Sequence, residues 1–258
     1  MHLTIRSDHR VNAQYVKKIL KGHADKGRAA VLRRFFKTGP GEYGEGDIFL
    51  GISVPTLRKL AKDCVDISVE ETLKLLTSPL HEERLFALIM FVSMYRAGDR
   101  ALKEKIYDTY LAHTRWINNW DLVDVSAEHI VGAHLMGRKR DPLYHLAVSG
   151  NLWERRIAIM ATFHFIKCGD FSDTLRLTRL LLNDGEDLIH KAVGWMLREI
   201  GKRDLKCEEQ FLKVHAGKMP RVMLRYAIER FPEEKRQRYL AATALRPTRR
   251  KAMRTIKA

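Results

Sequence analysis

Hydrophobic residues recur along this chain at the spacing of helices. In segments of about 10 to 18 residues, apolar side chains return every three or four positions, and convincing strand alternation is absent. Stretches with Gly and Pro separate these segments, among them "TGPGEYGEGD" (38–47), "CGDFSD" (168–173) and "GKMP" (217–220). The pattern predicts an all-α chain.

Local signals at the helix ends agree with this prediction. Ser68 and Glu71 have the spacing of a capping box ahead of "VEETLKLL", and Pro55 suits the first turn of "PTLRKLAKD". Either Asn118 or Asn119 can cap the helix that begins with "WDLVD", because an asparagine oxygen accepts from a free backbone N–H.

The helices repeat with a period of about 35 residues, which is in or slightly under the HEAT-like range. Such a period predicts an α-solenoid (an α-α superhelix) of HEAT-like helix pairs, in which one helix of each pair lines a concave groove. A helical bundle with evenly sized hairpins is the alternative. The corresponding segments are "RLFALIMF" from Arg84, "WDLVDVSA" from Trp120, "RIAIMATF" from Arg156, "KAVGWMLR" from Lys191 and "RYAIERF" from Arg225.

The net charge of the chain indicates the kind of molecule that it binds. Lys and Arg number 47 against 31 Asp and Glu, which gives a formal net charge of +16 and favours a polyanion such as nucleic acid. We expect the predicted groove to be basic. Residues 1–244 are predicted to form a single domain, and residues 245–258, with six basic residues and no acid, a disordered tail that adds phosphate contacts.

Several classes of protein are not expected. No run of about 18 apolar residues is present and the first twenty residues lack an apolar core, so we expect a cytoplasmic protein without a membrane span or a signal peptide. The three cysteines lie far apart, as in proteins with reduced thiols. Because the histidines and cysteines form no HxxxH or CxxC pattern, we expect no metal, and we expect no cofactor.

An acidic and aromatic cluster in so basic a chain needs an explanation. Asp121 falls in the first turn of its helix, where a carboxylate interacts well with the helix dipole, so we interpret it as structural. Asp124 lies one turn further, and no Lys or Arg on its own helix can pair with it. The structural alternative for Asp124 is a salt bridge to another helix. Its neighbours three and four positions away are Trp120, Asp121, Ala127 and Glu128.

Two residues on the aligned helices extend this candidate site. Arg156 has no acid within one turn of its own helix, and Trp195 lies in the helix "KAVGWMLR". In a solenoid we expect Asp124 and Trp195 to face one groove, with Trp120 and Arg156 at its edge. The alternatives are that each tryptophan fills the core and that Arg156 is a solvated surface charge.

These segments resemble the AlkD family of DNA alkylation repair glycosylases, which are HEAT-like repeat proteins. The likeness spans residues 20–235. It consists of "FLGISVPTLRKLAKD" (49–63), "WDLVD" (120–124), "NLWERRIA" (151–158) and "KAVGWMLRE" (191–199), which are similar to the family patterns FLGI-x-x-P, W-D-x-V-D, N-x-W-x-x-R and K-A-x-G-W-x-L-R-E.

The resemblance implies a monofunctional glycosylase of base excision repair that hydrolyses the N-glycosidic bond of N3- and N7-alkylated purines in double-stranded DNA, without extruding the base. It implies that Asp124 is the catalytic carboxylate, that Trp120 and Trp195 are walls around the lesion deoxyribose, and that Arg156 holds a phosphate. Asn119 departs from the pattern, since close relatives can carry an aromatic residue there.

We expect a monomer that is nucleoid-associated when bound to DNA. The alternatives are a non-catalytic member of the same fold that binds damaged or branched DNA, and a scaffold for protein interactions.

Overall fold

The structure, a computed structural model, describes residues 11–244, so the predicted basic tail at 245–258 lies outside the described residues. Within that range the secondary structure is helical, and one isolated β-bridge joins Ile48 to Leu80. No strand occurs among the described residues, as the sequence predicts. The α-helices are α1 (Ala13–Gly22), α2 (Lys26–Phe35), α3 (Val54–Lys62), α4 (Val69–Leu76), α5 (His81–Ala97), α6 (Arg100–Ala112), α7 (Trp120–Ser126), α8 (Ala133–Leu135), α9 (Asp141–Ala147), α10 (Leu152–Lys167), α11 (Ser172–Leu181), α12 (Asp187–Gly201), α13 (Leu205–His215), α14 (Arg221–Ala227) and α15 (Glu233–Ala244).

The chain divides into two compact units, one up to Arg140 and one from Asp141. In the first unit α5 packs against α3, α4, α6 and α7, and in the second α12 packs against α10, α11, α13 and α14. Both α5 and α10 are buried around much of their circumference, which explains why "RLFALIMF" and "RIAIMATF" are almost wholly apolar. The assignment of residues 1–244 to a single domain stays a prediction.

The helix ends agree with the capping signals that the sequence predicts. Asn119 is the cap of α7, and its side-chain oxygen accepts from the backbone N–H of Trp120 at 2.8 Å. Pro55 lies in the first turn of α3. Half of the predicted capping box forms, because the Ser68 hydroxyl accepts from the N–H of Glu71, whereas the Glu71 carboxylate accepts from the N–H of Ala13 in α1.

The segment "FLGI" (49–52) is a tight connection held from two sides. Gly51 has a φ of +87°, and a Cβ atom there would lie 2.1 Å from the carbonyl oxygen of Asp25. On the other side, the buried carboxylate of Glu82 in α5 accepts from the backbone N–H groups of residues 50, 51 and 52 at 2.7, 2.7 and 3.1 Å. These bonds satisfy a buried charge and fix the connection to α5.

The helix that carries "WDLVD" changes its winding after two turns. A π-helix at Glu128–Gly132 follows α7 and leads into the short α8. Its signature is the bond from the N–H of Gly132 to the carbonyl of Ala127, five residues earlier, at 2.9 Å. Such π turns occur frequently at functional sites because they re-aim the side chains that follow.

Among the described helices, none has the length and apolar character needed to cross a membrane.

Candidate functional site

Trp120 lies at the start of α7 and packs on a column of aromatic rings. Its indole stacks on Phe36 with ring centroids 5.1 Å apart, and Phe36 in turn stacks on Phe49 at 5.1 Å. Phe35 meets the indole edge-on at 5.9 Å. Trp120 itself is only half buried, so the column supports the indole without enclosing it.

Beneath this column lies a buried polar network centred on His81 of α5. Its Nε2 bonds to a carboxylate oxygen of Asp121 at 2.8 Å, and its Nδ1 bonds to a carboxylate oxygen of Asp47 at 2.8 Å. Arg84 also donates to Asp47, and the side-chain amide of Asn119 donates to Asp47 at 3.1 Å. The network connects the loop before "IFLG" to α5 and to the first turn of α7.

The geometry requires His81 to be protonated. A carboxylate only accepts hydrogen bonds, so both ring nitrogens must carry a proton. Burial opposes that charge, but the charges of Asp121 and Asp47 and the hydrogen bonds to them outweigh it and raise the pKa of His81 to about 9. For Asp47, burial is likewise outweighed by His81 and Arg84, which lower the pKa of this carboxyl. Asp121, interpreted from the sequence through the helix dipole alone, is therefore paired with a cation.

Asp124 lies on the same helix as Trp120, four residues further, and is half buried. Nearby, the phenol of Tyr110 is completely buried and shares a hydrogen bond of 2.9 Å with the hydroxyl of Ser126. Burial raises the pKa of Tyr110, and the charge of Asp124 adds to this effect, so the phenol is neutral.

Arg156, in the second unit, is not the solvated surface charge that was one alternative. It is buried at 5% relative exposure, and its Nη1 donates to the backbone carbonyl of Leu188 at 2.5 Å. Asn151 caps α10, as its side chain accepts from the N–H of Trp153 at 2.9 Å. The N-x-W-x-x-R pattern therefore combines a helix cap, a buried indole and a guanidinium held against α12.

Trp195 on α12 is half buried and oriented by a carboxylate. Its Nε1 donates to Glu199 at 3.1 Å, one turn along the same helix. Glu199 is buried, and although burial opposes it, hydrogen bonds from Lys202, Trp195 and Arg203 lower the pKa of its carboxyl. The preceding Gly194 lets α14 approach, since a Cβ there would lie 2.3 Å from the carbonyl oxygen of Met223.

The four predicted site residues fall into the two units. Trp120 and Asp124 lie one turn apart on α7 in the first unit, whereas Arg156 and Trp195 lie on α10 and α12 in the second. That all four face one groove, and that this groove is basic, stay predictions.

Comparison with known proteins assigns the family. Residues 16–231 match the model of the family described as DNA alkylation repair enzyme. The chain belongs to this family. Membership supports a role in the repair of alkylated DNA and agrees with the resemblance found from the sequence motifs.

Two solved structures resemble this member of the DNA alkylation repair enzyme family. A protein titled a predicted DNA alkylation repair enzyme from Enterococcus faecalis is 16% identical, with a TM-score of 0.62, over 82% of this chain and 98% of that chain. At this identity the likeness shows the fold alone, and it confirms the predicted fold class of all-α helical repeats. The smu.31 protein from Streptococcus mutans UA159 is 18% identical over 91% of this chain and 99% of that chain, with a TM-score of 0.44. No curated protein matches.

In this family member, sequence reasoning missed the network beneath Trp120. In the sequence, Asp47 lies at the end of a stretch that separates helices and Arg84 at the start of the segment "RLFALIMF", and no pattern singled out His81. One signal was present, because "HEER" places four polar residues where α5 is buried on every side, and buried charges have partners. The partners themselves lie 34 to 40 residues away in the chain, which no local pattern reveals.

Within the described residues, no group of three or more His, Cys, Asp or Glu side chains could hold a metal ion.

Proposed function

We propose that this protein is a DNA glycosylase that hydrolyses the N-glycosidic bond of N3- and N7-alkylated purines in double-stranded DNA. The proposal rests on the family match over residues 16–231, together with Trp120 and Asp124 one turn apart on α7. The reaction class is monofunctional hydrolysis, with water as the nucleophile and Asp124 as the catalytic carboxylate.

The chemistry matches a carboxylate placed in a basic protein. An N7-alkylpurine is already cationic, so it can leave without a general acid. Positive charge develops on the deoxyribose as the bond breaks, and a fixed carboxylate stabilises that charge and orients the attacking water. Indole faces also attract a nearby cation, so we assign Trp120 to the lesion deoxyribose, and the motif "KAVGWMLRE" supports the same role for Trp195.

The single observation that carries the assignment is the position of Asp124 on α7, one turn from the half-buried indole of Trp120. Asp121 is bonded to the protonated His81, and its side chain is only 14% exposed. Its charge is therefore balanced within the protein. Asp124, three residues later, is half buried and lies one turn from Trp120, and we assign it the charge that develops on the sugar.

Arg156 is assigned a DNA phosphate near the lesion. Its Nη1 donates to the carbonyl of Leu188, and this bond to α12 helps to fix the plane of the guanidinium. A fixed fork of donors suits the bidentate recognition of a phosphate. The match of "NLWERRIA" to the family pattern supports this role.

The test is release of N7-methylguanine from a duplex by Asp124→Asn. This change keeps the shape of the side chain and removes its charge. Under single-turnover conditions we expect release to fall by about 10² or more, the effect of losing one preorganised electrostatic element. Duplex binding should hold or improve, because a negative group has left a site for a polyanion. Asp66→Asn, an exposed aspartate in the same unit, is the matched control and should release base at the wild-type rate.

Two results would count against this role of Asp124. If Asp124 belongs to a salt bridge between helices, neutralising it should lower stability by roughly 3–5 kcal/mol, and activity would fall in proportion to the folded fraction. Thermal melting of the same variant distinguishes this case. A wild-type protein that binds the duplex and releases no base would instead indicate the non-catalytic member of the fold.

A further inference from the structure

The first unit contains a second feature that the proposed reaction does not use. A cavity of about 600 Å³ opens between α3, α5 and the π-helix that follows α7. Its floor is apolar and includes Ala61, Ile89, Val92 and Val125. Its rim carries four basic side chains, Arg58, Lys62, Arg96 and His129. No described Asp or Glu lines the cavity, so no acidic side chain balances the charges of Arg58, Lys62 and Arg96.

The positions of these basic residues follow from helical register. Arg58 and Lys62 are one turn apart on α3, and Arg96 is one turn from the floor residue Val92 on α5. Residues three or four apart share a helix face, so α3 presents two basic side chains beside Ala61, and α5 presents one beside Val92. Three exposed cations therefore surround one apolar floor.

Arg58, Lys62 and Arg96 also lack the ion pairs that neighbouring cations have. In the same unit Lys74 pairs with Glu71, and Arg138 pairs with Glu104. Within residues 11–244 no carboxylate pairs with any of the three cations on the cavity rim. Like charges that share a small volume repel one another, and a bound anion would remove that repulsion.

We propose that this cavity binds the phosphodiester backbone of a DNA duplex, with a phosphate between Arg58, Lys62 and Arg96 and the adjoining deoxyribose on the apolar floor. A backbone supplies both kinds of interaction at each nucleotide, a charge and a small apolar surface. Arginine forks match phosphate oxygens in pairs. The site rests on the proposed function only for the identity of the polymer as DNA.

The cavity continues from the candidate catalytic helix. Val125, on its floor, follows Asp124 directly in α7, and His129 lies in the π-helix one turn later. A DNA strand whose deoxyribose contacts α7 at Asp124 can therefore extend over the neighbouring α5 and α3. Because the cavity contacts only the phosphodiester backbone of the DNA, it adds affinity for a duplex of any sequence and carries no sequence preference.

The experiment measures duplex affinity across a range of salt concentrations. In Arg58→Ala/Arg96→Ala we expect affinity for undamaged and N7-methylguanine duplexes to fall equally, by about tenfold at low salt. The slope of log affinity against log salt should decrease by about 0.9 for each phosphate that the variant no longer neutralises. The double lysine variant should recover part of the affinity, because lysine keeps the charge and loses the fork.

The matched control is Lys59→Ala/Arg100→Ala, which removes two exposed cations of the same unit that do not line the cavity. Its affinity should stay much closer to that of the wild type. Arg58→Gln/Arg96→Gln repeats the test while keeping much of the side-chain stem, so a change in packing cannot account for the effect.

The outcomes separate this proposal from the proposed reaction. If the Arg58/Arg96 variants bind duplex like the control, the cavity does not bind DNA, even if the wild type releases base normally; an acidic protein partner would then be the remaining occupant of such a rim. If the wild type releases no base and the variants still show reduced affinity and salt slope, the cavity assignment stands and the glycosylase assignment fails.

Discussion

At the scale of single residues, the protein gives two aspartates on one turn of helix different environments. Asp121 is bonded to a buried imidazolium, which is itself bonded to Asp47, so two carboxylates share the charges of His81 and Arg84. The repulsion expected between Asp121 and Asp124, three residues apart, is reduced because Asp121 is already paired. His81 therefore permits an acidic turn next to a tryptophan that must stay accessible.

The protonation of His81 makes stability depend on pH. Its pKa is about 9 in the folded protein, above the ordinary value of 6.5, so the stabilisation is complete below pH 6.5 and is lost as the pH rises through 9. We expect the free energy of unfolding to fall over this window by an amount on the order of 3 kcal/mol. Urea unfolding at pH 6, 8 and 9.5 measures it.

Asp121→Asn provides the comparison. Removing one of the two carboxylates lowers the pKa of His81, so this variant should be less stable at pH 6 and should lose its remaining pH dependence at a lower pH. Asp66→Asn serves as the control, because it leaves the His81 network intact and keeps the pH dependence that all other titrating groups contribute to stability. Identical pH profiles for the two variants would show that Asp121 does not hold the proton on His81.

At the scale of elements, the connection "FLGI" joins the residue that caps α2 to the first turn of α5. The carboxylate of Glu82 accepts three successive backbone N–H groups from this connection, and the backbone of Gly51 lies directly against that of Asp25. Phe49, within the same segment, stacks on His81 at 4.4 Å and supports the column beneath Trp120. The motif is thus structural, and it acts on the candidate site through packing.

Gly51→Ala should be strongly destabilising. The residue has a positive φ, which costs an alanine about 1–2 kcal/mol, and the new Cβ would overlap the carbonyl oxygen of Asp25. We expect a total loss of about 3 kcal/mol or more in urea unfolding. Gly41→Ala is the control, because Gly41 has a φ of +74° with open space around it, and its substitution should cost only the conformational part. Equal losses at both positions would show that the backbone at Gly51 yields without cost.

At the scale of the whole molecule, the net charge of +16 is the property that matters most for binding. Part of it lies in residues 245–258, outside the described residues, with six basic side chains and no acid. The remainder is spread over both units. Charge of this kind attracts the DNA backbone without reading sequence, and its contribution decreases steeply as salt increases.

Truncation after Ala244 tests the contribution of the tail. We expect weaker binding to any duplex and a smaller dependence of affinity on salt, because each phosphate that the tail no longer neutralises reduces the slope by about 0.9. The rate of base release from the saturated complex should not change. A truncated protein with the affinity and slope of the full chain would show that the tail does not bind DNA.

The sequence by itself determined the elements and the family. Helical periodicity, an asparagine cap at Asn118 or Asn119 and the proline in the first turn of α3 act over a few residues, so they could be predicted locally, and the structure selects Asn119 as the cap. The four motifs identified the family that the match over residues 16–231 confirms. They also supplied the site residues Trp120, Asp124, Arg156 and Trp195, whose roles stay predictions.

The tertiary structure decided which side chains pair with the buried charged groups. His81 joins Asp47 and Asp121 across 34 and 40 residues of chain, and Asn119 reaches Asp47 across 72. The sequence predicted neither these bonds nor the burial of Arg156 against Leu188. The physical reason is that a buried charge is stable only beside its partner, and the fold, not the local sequence, selects which distant residue that partner is.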